Sequence, residues 1–114
     1  MSYVVAWIDS QEAKLYHFSP GKVDKEDIKR TTEEHDDGKF FHRIADHMKL
    51  DSHVLVVGPG MGKKHFVHHL ETHKTHKALV GRIVGVENAD HPTDGQIQEL
   101  ARKFFKKFDL FQNP

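Results

Sequence analysis

No cysteine occurs among the 114 residues. That absence excludes a disulfide framework, zinc sites built on thiolates and a thiol nucleophile, and it fits a reducing cytoplasm. Long apolar runs are missing too. None approaches the length needed to cross a bilayer. The opening MSYVVAWIDS has no basic residues ahead of its apolar ones, and Asp9 interrupts it. It therefore reads as a first strand and not as a signal peptide. Net charge is also absent, with 17 basic and 17 acidic residues, whereas a general polyanion binder is usually basic.

What is present begins with size. A chain of this length is one ordinary domain, residues 1–114, large enough to bury a real core. Eleven histidines stand beside the balanced charges, so mild acidification makes the protein cationic. The charges are unevenly placed. Residues 24–37, DKEDIKRTTEEHDD, carry seven acids and three bases, while residues 63–82 carry Lys63, Lys64, Lys74, Lys77 and Arg82 against Glu71. The two ends of the molecule are expected to differ in potential.

Hydrophobic periodicity predicts eight elements. YVVAWID and EAKLYHF are short strands rich in β-branched and aromatic residues, and KVDKEDIKR is a third with one wet face. They form an antiparallel meander. After the polar TTEEHDDG, a helix fits KFFHRIADHMKL, with Phe40, Phe41, Ile44, Ala45 and Met48 on one face and Asp36 or Asp37 as its cap. HVLVVG does not alternate and suggests a strand covered on both faces. PGMG leads into a second helix from about Lys63 to His73, and ALVGRIVGVE supplies a fifth strand from Gly81 or Arg82 onward. Thr93 and Gln96 form a capping box. Behind it Ile97, Leu100, Ala101, Phe104 and Phe108 make the buried stripe of a last helix. The order β-β-β-α-β-α-β-α implies an α/β fold of the ribonuclease H-like type: a mixed five-stranded sheet with helices on its faces.

The segment GPGMGKK poses the main functional question. A helix N-terminus attracts anions, and Lys63 and Lys64 add charge. Yet the loop is not a Walker motif. Three residues, not four, separate Gly58 from Gly62, and Lys64 stands where the hydroxyl for magnesium belongs. Nor does it read G-x-G-x-x-G. Two readings stay open: glycines that permit a tight turn, or a site for a nucleic-acid phosphate. In the second, Gly58, Gly60, Lys63, Lys64, Lys74, Lys77 and Arg82 form the contact set, with Lys63 and Lys64 exposed.

His65 and His69, four apart, share a helix face and could reach one metal. The spacing puts them on the solvent side, opposite Val67 and Leu70, with no carboxylate on the stripe and no glutamate as in H-E-x-x-H. No resident metal or other cofactor is expected. An enzyme of the metal-dependent nuclease or phosphoryl-hydrolase class needs several carboxylates. Asp9 ends the first strand, but HVLVVG offers none, and Asp46 faces away from the apolar stripe. Asp9 reads more simply as a turn residue, and no catalytic residue is assigned.

HVLVVGPGMGKKHFVHHL, following a β-β-β-α start, resembles the middle domain of archaeal and eukaryotic class 1 release factors and of Pelota. GRIVGVENADHPTDGQIQELARKFF is similar to the ending of small stand-alone bacterial translational machinery proteins. The resemblance covers roughly Tyr3 to Phe108 and implies the fold, together with association with the ribosome or a structured RNA. In release factors, a basic loop with Gly-Gly-Gln lies between the third strand and the first helix. Here that region is RTTEEHDDGKFF, acidic and without Gly-Gly-Gln. The resemblance thus implies a non-enzymatic, cytoplasmic binding protein without peptide-release activity. A protein-interaction module that docks through the acidic loop 33–37 is the other non-catalytic reading.

Overall fold

A computed structural model describes residues 2–48 and 52–112. Its elements are β1 (Ser2–Ile8), β2 (Glu12–Ser19), β3 (Lys22–Lys29), α1 (Asp37–Asp46), β4 (Ser52–Gly58), α2 (Gly62–Thr72), a 3-10 helix (Lys74–Arg82), β5 (Ile83–Asn88) and α3 (Asp94–Gln112). The five strands form one sheet in the order β3-β2-β1-β4-β5. β1, β2 and β3 pair antiparallel, whereas β1–β4 and β4–β5 are parallel. This is the expected ribonuclease H-like mixed sheet.

The period-two geometry of a strand splits the sheet residues between two cores. Val4, Ala6 and Ile8 of β1 and Val54 and Val56 of β4 face α1, α2 and the 3-10 helix, where Phe40, Phe41, Ile44, Phe66, Leu70 and Leu79 cover them. Val5, Trp7, Leu55 and Val57 point the other way, onto Tyr16 and onto Ile97, Ala101 and Phe105 of α3. β4 is covered on both sides, which accounts for its unbroken apolar run. β3 is an edge strand, and its alternating Lys and Asp or Glu residues discourage pairing with a further strand.

Three expectations need correction. The first helix ends at Asp46, with His47 as its C-cap, although Met48 stays buried; the end of that expectation, Lys49 and Leu50, lies outside the described residues. The segment before β5 is a 3-10 helix. His76 and Leu79, three apart, fall on the same side of such a helix and are both buried, so β5 begins one or two residues later than expected. On α3 the fully inward line is Ile97, Ala101 and Phe105, at intervals of four, while Leu100 and Phe104 are only partly buried against this core and Phe108 is half-buried. Phe105 lies inward because Tyr3 and Phe18 receive its ring, with centroids 4.7 and 6.4 Å away.

Candidate functional site

The parallel strands β1 and β4 end side by side, and their chains then diverge, β1 into the hairpin to β2 and β4 into α2. Such a divergence opens a crevice at the carboxyl edge of a sheet. Here it is a cleft of about 430 Å³ bounded by Asp9, Ser10, Arg30, Asp37, the loop Pro59–Gly62, Phe41, His65 and His91.

The glycine loop is shaped by contact with the end of β1. Gly58 has φ +154°, and a Cβ there would stand 2.1 Å from the carbonyl oxygen of Ile8. Gly60 has φ +57°, in the left-handed region, with open space around it. Met61 is the N-cap of α2 and supplies no side-chain acceptor; the helix opens with the bond from His65 N to the Met61 carbonyl. The N–H groups ahead of that bond are directed out of the helix start, as in an anion-binding helix end.

Lys63 does not project from this helix start. It is 2% exposed, and its Nζ donates to the carbonyl of Gly60. It therefore ties the loop to the first turn of α2, which corrects the expectation that both lysines are exposed. Lys64, one position on, is exposed.

Asp9, Arg30 and Asp37 of the cleft are already engaged. Asp9 Oδ1 accepts from the backbone N–H of Gln11 and Glu12 at 2.8 and 2.7 Å, an Asx turn closing the β1–β2 hairpin. Arg30 Nη1 lies 2.6 Å from Asp37 Oδ1 and also donates to the carbonyl of Ser10, while its Nε donates to that of Glu34. The acidic loop is built in the same way. Asp36 caps α1 by accepting from Lys39 N. Glu34 is buried, receives both Nε and Nη2 of Arg43 at 3.1 and 2.9 Å, and accepts from Thr31 N. The Arg43 pair holds its carboxyl below the usual range against the opposing effect of burial. Glu34, Asp36 and Asp37 thus hold the loop together, with Glu34 buried and Asp36 and Asp37, like Glu33, still exposed.

The structure divides the cations of the expected contact set between two places. Lys63 and Lys64 lie at the carboxyl edge of the sheet. Lys74, Lys77 and Arg82 belong to the 3-10 helix that precedes β5, at the opposite edge. The length of β4 separates the two groups by roughly 20 Å. Lys74 and Lys77 are exposed, whereas Arg82 is half-buried and its Nε donates to the Ser52 carbonyl at the start of β4.

The histidines also part company. His65 is exposed and lines the glycine-loop cleft. His69 is 7% exposed, which corrects its expected solvent position. α1 and the 3-10 helix pack beside α2 and cover this turn, so His69 meets Phe41 edge-on and stacks on His73. Burial, reinforced by the neighbouring His73, His76 and His42, holds its imidazole below the ordinary 6.5. The histidines that come together are His42, His69 and His76. Sequence spacing relates only His69 to the pair first considered; His42 and His76 arrive from other elements.

The fold has relatives among solved structures. It is shared with Pelota from Thermoplasma acidophilum at TM-score 0.66 and 18% identity, over 87% of this chain and 31% of that one. Pelota from Archaeoglobus fulgidus gives 0.66 and 17%, over 90% and 31%. An archaeal translation termination factor gives 0.61 and 13%, over 96% and 40%. The chain therefore spans about a third of the length of the Pelota chains it matches. No protein-family model matches the sequence, and no curated protein matches it. At these identities the likeness establishes the fold, and it is the fold that the resemblance of HVLVVGPGMGKKHFVHHL implied.

Proposed function

We propose that this chain is a translation-related binding module, one release-factor-middle-domain-like domain, that associates with the ribosome or a structured RNA in the cytoplasm and does not release peptides. The observation that carries this reading is the fold shared with Pelota and an archaeal termination factor over nearly the whole chain. Residues 30–36, which replace the Gly-Gly-Gln loop of release factors, support the second half. They are short and closed on themselves by the Arg43–Glu34 and Arg30–Asp37 pairs, and they lack a glutamine to position water.

In this reading Lys64, Lys74 and Lys77 make the phosphate contacts. Gly58, Gly60, Lys63 and Arg82 shape the backbone that presents them. Two cationic places at opposite edges of the sheet suit a partner with an extended phosphate backbone better than a single nucleotide. The zero net charge keeps such binding moderate and selective.

Co-sedimentation with ribosomes across a range of salt concentrations tests the proposal. The expected result is salt-sensitive binding. In Lys64→Ala and in Lys74→Ala/Lys77→Ala it weakens, and its log–log salt slope flattens by up to about 0.7–0.9 for each phosphate that is no longer neutralised. Absence of co-sedimentation at low salt, or variants that match the parent at every salt concentration, overturns it.

A further inference from the structure

On the face of the molecule formed by α1, α2 and the 3-10 helix, three imidazoles converge. His42 comes from α1, His69 from α2 and His76 from the 3-10 helix. One ring nitrogen of each lies within 4.8 Å of one from both others. The His42 and His76 rings meet edge to face with centroids 4.3 Å apart. His69 and His76 are buried, while the side chain of His42 is 47% exposed and leaves the group open on one side.

Hydrogen bonding inside this group is incomplete. His69 Nε2 and His76 Nδ1 are buried without a hydrogen-bond partner. Buried polar atoms are normally paired, and each exception asks for an explanation. The other nitrogen of His76, Nε2, lies 2.8 Å from Asp46 Oδ1. The carboxylate accepts there, so Nε2 carries the proton and Nδ1 keeps its lone pair. A carboxylate that fixes the tautomer and orientation of an imidazole is the usual outer partner of a metal-binding histidine. His73 forms a further layer: it stacks on His69 at 3.9 Å, and its Nδ1 donates to the His69 carbonyl.

We propose that His42, His69 and His76 bind one divalent transition-metal ion of the zinc class, with Asp46 orienting His76 from outside the coordination sphere. An all-imidazole set suits zinc, copper or nickel and not calcium or magnesium, which take oxygen ligands. Zinc–nitrogen bonds of about 2.0–2.1 Å in a tetrahedron place the nitrogens about 3.4 Å apart. His42, half exposed and with its Nε2 3.7 Å from Asp46 Oδ2, is the member that turns to close the set. The fourth position faces the shallow cleft lined by Asp36, Gly38, Lys39 and His73, where water completes the coordination. A bound ion links α1, α2 and the 3-10 helix, so occupancy stabilises the fold.

The test uses the tag-free full chain stripped of metal, since an affinity tag of histidines would compete. Zn²⁺ is titrated against a chromogenic chelator, and Co²⁺ serves as a spectroscopic substitute. The expected result is one equivalent of metal, a tetrahedral Co²⁺ spectrum, and an unfolding temperature that rises with free Zn²⁺ but not with Mg²⁺ or Ca²⁺. Asp46→Asn weakens affinity by about 10–100-fold. His42→Ala weakens it more, while the unfolding temperature of the metal-free protein falls by far less than the metal-dependent rise it abolishes, because its side chain lies partly in solvent. His65→Ala has no effect. Absence of stoichiometric Zn²⁺ binding overturns the proposal. So does a His42→Ala variant that binds as the parent does, or an equal loss in His65→Ala, which would mark general surface binding.

Discussion

Gly58 and Gly60 stand two positions apart in one turn, yet replacing each by alanine has different consequences. At Gly58 the new methyl meets the Ile8 carbonyl at 2.1 Å in a backbone conformation that side chains rarely adopt. Strain and overpacking act together, and Gly58→Ala is expected to cost at least about 3 kcal/mol. At Gly60 nothing lies within 4 Å of the added carbon, so only the left-handed conformation is penalised, by about 1–2 kcal/mol. Denaturant unfolding of the two variants separates them. A second prediction concerns Glu34. Its carboxyl is held below the ordinary 4.5 by Arg43, so the folded state prefers it ionised. The resulting stability is fully present above pH 4.5 and is lost as pH falls through the lowered folded-state value. Glu34→Gln is expected to cost about 1–3 kcal/mol at neutral pH, the range for a charged hydrogen-bonded partner, and to flatten the acid limb of a stability–pH curve. The sequence shows Glu34 only as one acid in a run. Its burial depends on Arg43 reaching back from α1.

At the scale of elements, α3 shows how local signals and packing divide the work. The capping box is visible in the sequence and is present in full: Gln96 N donates to Thr93 Oγ1 at 3.2 Å, and Thr93 N to Gln96 Oε1 at 2.9 Å. Asp94 in the first turn accepts from Tyr16 and Lys25, and the Tyr16 hydroxyl, followed by Lys25, holds its carboxyl below the usual range. Thr93→Ala is expected to reduce stability by about 0.5–2 kcal/mol. The rotation of the helix about its axis was not legible to the same degree. Leu100, Phe104 and Phe105 all fall near the apolar side of a helical wheel, and the rings of Tyr3 and Phe18 select Phe105. Phe105→Ala is expected to cost about 3–5 kcal/mol and Phe108→Ala clearly less, as thermal unfolding would show. The 3-10 helix escaped the periodicity of strands and α-helices because its repeat is three.

For the whole molecule, the proposed function without peptide release turns on the loop between β3 and α1. It carries no Gly-Gly-Gln, and Glu34, Asp36 and Asp37 are engaged by Arg43, the cap of α1 and Arg30. Purified protein added to ribosomes bearing peptidyl-tRNA in the termination state is expected to release no peptide, whatever its affinity. Peptide release above the buffer control would reveal chemistry elsewhere in the chain. The distribution of cations is also a property of the whole fold. Lys64 belongs to the carboxyl edge of the sheet, while Lys74 and Lys77 belong to the other, because the connection from β4 to β5 must return the chain to the start of a parallel strand.

By itself the sequence determined the order of strands and α-helices, the mixed sheet, the doubly covered β4, a cap for α1 at Asp36 or Asp37, of which the structure uses Asp36, and the capping box of α3. Each of these follows from periodicity or from side-chain chemistry within a few residues. It also marked Gly58 and Gly60 as the positions that turn β4 into α2. Tertiary structure alone decided which polar side chains are free. Lys63 folds onto the Gly60 carbonyl, Glu34 closes with Arg43, and His69 is covered by neighbours 27 positions before it and 7 after it, His42 and His76. Such partners come from separate elements packed on one face, and no spacing along a single helix or strand records them.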